Sequence, residues 1–180
     1  WLLVNFTYRL RARGLERIPE DGAALLICNH VSYVDAIVIA AACRRPIRFI
    51  MDHGIFRLPV MRTIFRGMKA VPIDPRSVDP TIYERAFATV EAELAAGNLV
   101  CIFPEGRLTR DGGIDVFKGG LLRILERSRV PVVPMALSNL WPSMFSRRQP
   151  SLWKRWPRRL LAPVTLAIGA PMEAAAVTLG

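Results

Sequence analysis

The stretch DPTIYERAFATVEAELAAGNLVCIFPEGR, residues 79–107, sets the fold class, because it carries a helix into a buried strand and ends in a polar turn. Asp79 is placed to cap a helix that Pro80 opens, and Ile82, Ala86, Val90 and Leu94 recur every four residues along it. Gly97 closes the helix. Leu99 to Phe103 then run without a polar residue, the pattern of a strand buried on both faces. Working outward, AALLIC (23–28) and IRFIMD (47–52) read as strands, KAVPID (69–74) as a short strand, and VPVVPMAL (130–137) and APVTLAIG (162–169) as later ones. Helices are predicted over Asp35–Ala42, with Ser32 as N-cap, and over GGLLRILERS (119–128). The opening WLLVNFTYRLRARG (1–14) is amphipathic and predicted helical, followed by an extended stretch from Gly14 to Ile18. Strands that alternate with helices imply an α/β fold, a mostly parallel central sheet flanked by helices.

With 180 residues and 52% hydrophobic content, the chain can bury one sizeable core, so residues 1–180 read as a single domain. It opens on Trp1 rather than methionine, and we expect a domain cut from a longer chain. No apolar run approaches the roughly 20 residues a membrane-crossing helix needs. AIVIAAAC (36–43) is too short, and LLAPVTLAIGAPM (160–172) is broken by Pro163, Gly169 and Pro171. Any membrane contact of this segment is therefore expected to be peripheral. Cys28, Cys43 and Cys101 lie in apolar runs without metal spacing, and His30 and His53 are the only histidines. Reduced, buried thiols and no metal site are expected.

The net charge of +10 favours an anionic partner. Residues 141–160, WPSMFSRRQPSLWKRWPRRL, carry six Lys/Arg, three Trp and no acid. Tryptophan beside arginine suits an anionic lipid headgroup layer. A solvated basic loop around core tryptophans fits equally well. Nucleic acid is not expected, because no binding motif accompanies the charge.

Two polar constellations follow strands: Asn29, His30 and Asp35 after AALLIC, and PEGR (104–107) after LVCIF. In open α/β sheets, ligands collect outside the carboxyl ends of strands. An imidazole is the natural base for an alcohol proton, the more so when a carboxylate holds its other ring nitrogen. On one continuous helix, His30 and Asp35 would lie about 140° apart around the axis. The pair therefore needs His30 in the turn before the helix and Asp35 in its first turn. The same letters, Ser32 and Asp35 three apart, also spell a helix cap with no chemistry. In the second constellation, Gly106 lets backbone approach a ligand and Arg107 offers a planar fork for phosphate. Glu105 can pair with Arg107 or accept from a substrate hydroxyl. Taken blandly, the turn holds a surface Glu–Arg pair worth little.

Taken together and in this order, NHVSYVD (29–35), FPEGR (103–107), FKGG (117–120) and VPVVP (130–134) resemble the glycerophospholipid acyltransferase family, across roughly residues 10–170. The resemblance implies that His30 deprotonates an acceptor hydroxyl, that Asp35 orients His30, and that the oxygen attacks an acyl thioester directly. It implies that Glu105, Gly106 and Arg107 bind the glycerol phosphate, with Lys118, Asn29 and Arg76 as further substrate-binding candidates. It implies no cofactor beyond an acyl-coenzyme A or acyl carrier protein thioester as co-substrate.

Two features depart from the family pattern. Arg107 follows Gly106 directly, where a threonine usually intervenes, and Pro75 stands where the second block usually has arginine, with Arg76 one place later. Both look like the branch of 2-acylglycerophosphoethanolamine acyltransferase domains, which are often fused to transporter or acyl-activating segments. The expected acceptor is therefore a lysophosphatidylethanolamine-type lysophospholipid. The alternatives are a 1-acylglycerol-3-phosphate acyltransferase making phosphatidic acid, and a non-catalytic membrane-binding module. The expected place of work is an anionic membrane surface, the cytoplasmic face of the cell membrane. A Ser-His-Asp hydrolase is disfavoured by the lack of a G-x-S-x-G elbow. His53 reads as a loop histidine. Phe56, Leu58, Met61, Ile64 and Phe65 read either as an acyl-tunnel lining or as a helix packed on the core.

Overall fold

The computed structural model describes residues 8–141 and 162–178. Among these residues one seven-stranded sheet runs in the order β1-β7-β6-β2-β5-β3-β4. The strands are β1 (Tyr8–Arg13), β2 (Ala24–Cys28), β3 (Ile47–Asp52), β4 (Val71–Ile73), β5 (Leu99–Ile102), β6 (Val132–Ser138) and β7 (Ala162–Ile168). Pairing is parallel everywhere except between β6 and β7, so β1 and β7 run against the other five strands.

Among the described residues four α-helices cover the two faces: α1 (Asp35–Ala42), α2 (Pro59–Gly67), α3 (Pro80–Ala95) and α4 (Gly120–Arg127). The two-residue alternation of the strands builds a core on each side. Leu26 and Cys28 face the layer of α1 and α2 with Val38, Ile39, Phe49 and Phe65. Leu25 and Ile27 face α3 and α4, against Phe87, Val90, Leu121 and Ile124. Helix α3 starts as its sequence requires: the Asp79 carboxylate accepts from the N–H groups of Thr81 and Ile82 at 2.9 Å each. None of the helices among the described residues is long and apolar enough to cross a membrane.

Two local expectations are corrected. Residues 8–13 form strand β1, not the end of a helix; Tyr8, Leu10 and Ala12 alternate inward while the arginines point out. Pairing with β7, from Tyr8 opposite Ala162 to Arg13 opposite Ala167, overrides a helical reading of the amphipathic stretch. Gly14, at φ +79°, then turns the chain into a short 3-10 helix, Leu15–Arg17, in place of the extended stretch. Residues 1–7 and the tryptophan-rich basic segment beyond Trp141 lie outside the described residues.

Candidate active site

Strand order assembles the site. Strands β2 and β5 are parallel neighbours with Ile27 opposite Ile102, so the residues that follow each emerge side by side at one sheet edge. Two constellations that lie 75 residues apart in sequence are thereby joined. The His30 N–H donates to Glu105 Oε1 at 2.7 Å, and the His30 carbonyl accepts from Thr109 N–H at 2.8 Å. The imidazole stacks on Phe103, with ring centroids 4.3 Å apart and planes inclined by 18°. His30 is thus held by backbone on both sides and by an aromatic face.

His30 sits in the turn before α1 and Asp35 in its first turn, and His30 Nδ1 lies 2.8 Å from Asp35 Oδ2. The same oxygen accepts from the N–H groups of Val31 at 2.7 Å and Ser32 at 2.9 Å. Because Oδ2 already accepts from two backbone N–H groups, it is an acceptor toward the imidazole as well, so Nδ1 is the ring nitrogen that donates and Nε2 is the one left for chemistry. Burial pushes the Asp35 carboxyl above its ordinary range, while the hydrogen bond and charge of His30 and the N–H groups of Ser32 and Val31 pull it back. The imidazole is about a quarter exposed while Asp35 is fully buried, so the base reaches solvent and its orienting acid does not.

Ser32 is not the N-cap: Val34 occupies that position, and the buried Ser32 hydroxyl finds no hydrogen-bond partner among the described residues. Half of the capping pattern survives in the Asp35 bond back to Ser32 N–H, so capping and orientation of His30 share one carboxylate.

The other candidates have partners within the fold. Glu105 is buried, and its second oxygen accepts from Asp115 N–H at 2.9 Å. It ties the β2 and β5 loops together rather than pairing with Arg107. Arg107 instead pairs through Nε, at 2.7 Å, and Nη2, at 2.5 Å, with Asp115 Oδ2. The Val116 N–H and the Arg107 fork hold the Asp115 carboxyl below the usual range. Both ends of the Asn29 amide bond to Leu137: Nδ2 donates to the Leu137 carbonyl at 3.0 Å and Oδ1 accepts from Leu137 N–H at 2.7 Å. It extends the β2–β6 pairing by one side chain.

Gly106 adopts φ +61°, and a Cβ there would meet Lys118 Cδ and Nζ at 2.9 Å. Only glycine lets the lysine lie across the turn, so Lys118 and Arg107 flank it with two cations. Arg76 is exposed beyond β4, where with Arg123 it draws the Glu84 carboxyl down, and no contact joins it to His30. His53 pairs with Asp74 at 3.0 Å just past the ends of β3 and β4, separate from the His30 cluster. Leu58 and Ile64 are exposed and Phe65 is buried against the core, so α2 packs on the sheet through few residues.

Phe103, Thr109 and Asp115 hold the site together without having been singled out from sequence. Phe103 lies inside the quoted motif, so its position was visible, whereas Asp115 has no local signal.

Comparison with known proteins gives a consistent result. Residues 9–138 match the family model described as Acyltransferase. The chain is 30% identical over 131 residues to a chloroplastic 1-acyl-sn-glycerol-3-phosphate acyltransferase of Arabidopsis thaliana, covering 72% of this chain and 36% of that protein. It is 25% identical over 130 residues to the 1-acyl-sn-glycerol-3-phosphate acyltransferase of Borreliella burgdorferi, covering 70% of this chain and 50% of that one. The chain thus spans about a third to a half of the length of these curated relatives. The crystal structure of the 1-acyl-sn-glycerophosphate acyltransferase PlsC from Thermotoga maritima matches with a TM-score of 0.73 at 22% identity, over 96% of this chain and 65% of that one. At that identity the likeness establishes the fold.

Proposed function

This chain belongs to the acyltransferase family, and from that premise we propose that it transfers a fatty acyl group from a thioester to the free hydroxyl of 1-acylglycerol 3-phosphate, making phosphatidic acid. The observation that carries the reading is the His30–Asp35 pair, fixed at the mouth of the sheet beside the Gly106 turn with its two cations. The headgroup choice rests on the names of the curated relatives, which are 1-acylglycerol-3-phosphate acyltransferases. They support phosphatidic acid synthesis over the lysophosphatidylethanolamine preference expected from the displaced arginine.

In this mechanism, His30 Nε2 takes the proton of the acceptor hydroxyl while Nδ1–H stays on Asp35. The hydroxyl oxygen bonds to the thioester carbonyl carbon, the carbon–sulfur bond breaks, and the leaving sulfur takes the proton from Nε2. The buried carboxylate stabilises the imidazolium as it forms. Arg107 and Lys118 hold the acceptor phosphate, and positioning supplies much of the remaining acceleration. The thioester is a coenzyme A or acyl carrier protein derivative, no further cofactor takes part, and the reaction runs at the cytoplasmic face of a membrane. Residues 1–180 act as one acyltransferase domain.

One observation favours a second acceptor. Asp115 places a negative charge on the Arg107 fork, which suits a headgroup that brings its own ammonium, as in a lysophosphatidylethanolamine.

The test incubates the full-length protein with labelled acyl-coenzyme A or acyl carrier protein and a panel of lysolipids. Phosphatidic acid is the expected product. His30→Ala should lower kcat by about 10²–10⁴-fold, while His53→Ala stays within about twofold, as surface substitutions away from a site do. Turnover that survives His30→Ala would refute the mechanism. Preference for the ethanolamine lipid would move the headgroup to the second reading.

A further inference from the structure

Strands β6, β2 and β5 lie side by side and parallel, so their carboxyl ends share the edge that carries His30. Two junctions between these ends are closed by hydrogen bonds. Glu105 and Thr109 join the loop after β5 to His30, and Asn29 joins the end of β2 to Leu137 of β6. The third junction, between the β5 loop and the residues after β6, is closed by Trp141. Asn139, at φ +66°, turns the chain off β6; Leu140 is fully buried and Trp141 follows, half-buried. The indole lies on Gly112, where a Cβ would meet Trp141 Cδ1 at 2.8 Å and Cγ at 2.9 Å. In sequence Trp141 opens the basic, tryptophan-rich stretch, but its ring is used inside the frame of the site.

Gly112 belongs to a tight turn. Its N–H donates to Thr109 Oγ1 at 3.0 Å, the Thr109 hydroxyl donates to Asp111 Oδ1 at 3.2 Å, and that oxygen accepts from Gly113 N–H at 2.9 Å. Thr109 is buried, and its own N–H donates to the His30 carbonyl at 2.8 Å. The turn therefore has the indole on one side and the His30 backbone at its end. Gly112 sits at φ +95°, a backbone that glycine adopts without strain, and its missing side chain lets the ring close on the main chain. Many weak contacts between a flat ring and that backbone resist displacement of the turn. Residues 103–119 form no helix or strand, so the hold on this loop comes from such anchors.

We propose that Trp141 is a positioning residue for acyl transfer: its indole braces the Thr109–Gly113 turn, and the turn holds the His30 backbone so that Nε2 keeps its aim. The inference deepens the function proposed above, on which it rests. Trp141 acts through Gly112 and Thr109 and not on the reacting atoms. Truncating the ring opens a void beside Gly112, into which the turn can relax. The His30 carbonyl then loses a fixed donor, while the Glu105 bond to the His30 N–H remains. With one of its two backbone anchors loosened, the imidazole is free to rock on the Phe103 face.

The test uses the full chain and the variants Trp141→Ala, Trp141→Phe and Gly112→Ala at a temperature well below unfolding. Acyl-coenzyme A and, in parallel, an acyl carrier protein thioester serve as donors, with lysophosphatidic acid as acceptor. Trp141→Ala should lower kcat by about tenfold, part of the roughly 10²-fold cost of a full 1 Å misplacement, with KM values within about twofold. Trp141→Phe keeps an aromatic face and should recover most of that loss. Gly112→Ala drives a methyl into the indole and should match Trp141→Ala, and the combined variant should lose less than the product of the two. Two readouts are independent of turnover. The His30 ring protons are shifted by the stacked Phe103 ring, and in Trp141→Ala their resonances should move toward those of a free imidazole. Amide exchange at Thr109 should quicken.

The proposal falls if Trp141→Ala folds and keeps both its kcat and its His30 resonances. It falls too if kcat drops while those resonances and the Thr109 exchange stay as in the unsubstituted chain. A rise in KM for the acceptor alone would likewise overturn it, because Trp141 would then meet substrate. Absence of transfer in the unsubstituted protein would mark failure of the enzymatic reading instead, and the ring resonances and amide exchange would still decide the brace.

Discussion

Substitution of Glu105 separates two accounts of the FPEG turn. Its carboxylate is buried and accepts N–H groups of His30 at 2.7 Å and Asp115 at 2.9 Å. Hydrogen bonds to a charged acceptor are worth about 1.5–3 kcal/mol each. Glu105→Ala thus removes about 3–6 kcal/mol, a large share of the roughly 5–15 kcal/mol that holds a typical domain folded. Glu105→Gln keeps one oxygen but sets an amide N–H₂ against the other donor, a loss of about 2–3 kcal/mol that leaves the chain folded. The catalytic consequence follows from geometry. With its N–H released, His30 keeps only the Thr109 bond on its backbone, and a drift of about 1 Å can cost about 10²-fold in rate. The expected result for Glu105→Gln is a lower urea midpoint, faster amide exchange at His30 and Asp115, and kcat down by about 10²-fold with KM little changed. A rise in KM that depends on the acceptor headgroup, with stability and kcat intact, would show that Glu105 touches substrate and would refute the tether.

Asp115→Asn removes the charge that competes for the Arg107 fork while keeping an oxygen for Val116 N–H; KM for lysophosphatidic acid should fall about two- to fivefold, the modest effect of an exposed pair. Steady-state kinetics check this, and a raised KM would contradict the phosphate role of Arg107. Stability should also fall at alkaline pH. Burial pushes the Cys43 thiol up to about 11 from an ordinary 9.0, and burial likewise raises Cys28 and Cys101. Above pH 9 the unfolded chain therefore releases thiol protons that the folded chain keeps, and each thiol removes about 1.4 kcal/mol per pH unit. For Cys43 that loss ends near its folded value of about 11. Urea midpoints against pH should be shallower for Cys43→Ala by one thiol's slope, and an unchanged slope would refute the assignment.

Local chemistry fixed much of this protein before any contact was known. The helix from Pro80 to Ala95 follows from its own cap, period and terminating glycine, and the apolar runs of β2 and β5 announce buried parallel strands. The His30–Asp35 pair was legible too, because its members are five residues apart and turn geometry alone brings them together. The first strand was not, since Tyr8–Arg13 satisfies a helical pattern as well as an alternating one and only its pairing with β7 decides. Nor was the use of Glu105, Asn29 and Arg107, whose partners lie beyond their own motifs. A carboxylate, an amide or a guanidinium takes whichever complementary group lies within about 3 Å, and which group that is depends on strand order. By setting β5 and β6 on either side of β2, the tertiary structure made Glu105 a tether and Asn29 a bridge. Sequence supplies the donors and acceptors, but their pairing is a property of distance, and distance between remote segments exists only once the sheet has formed.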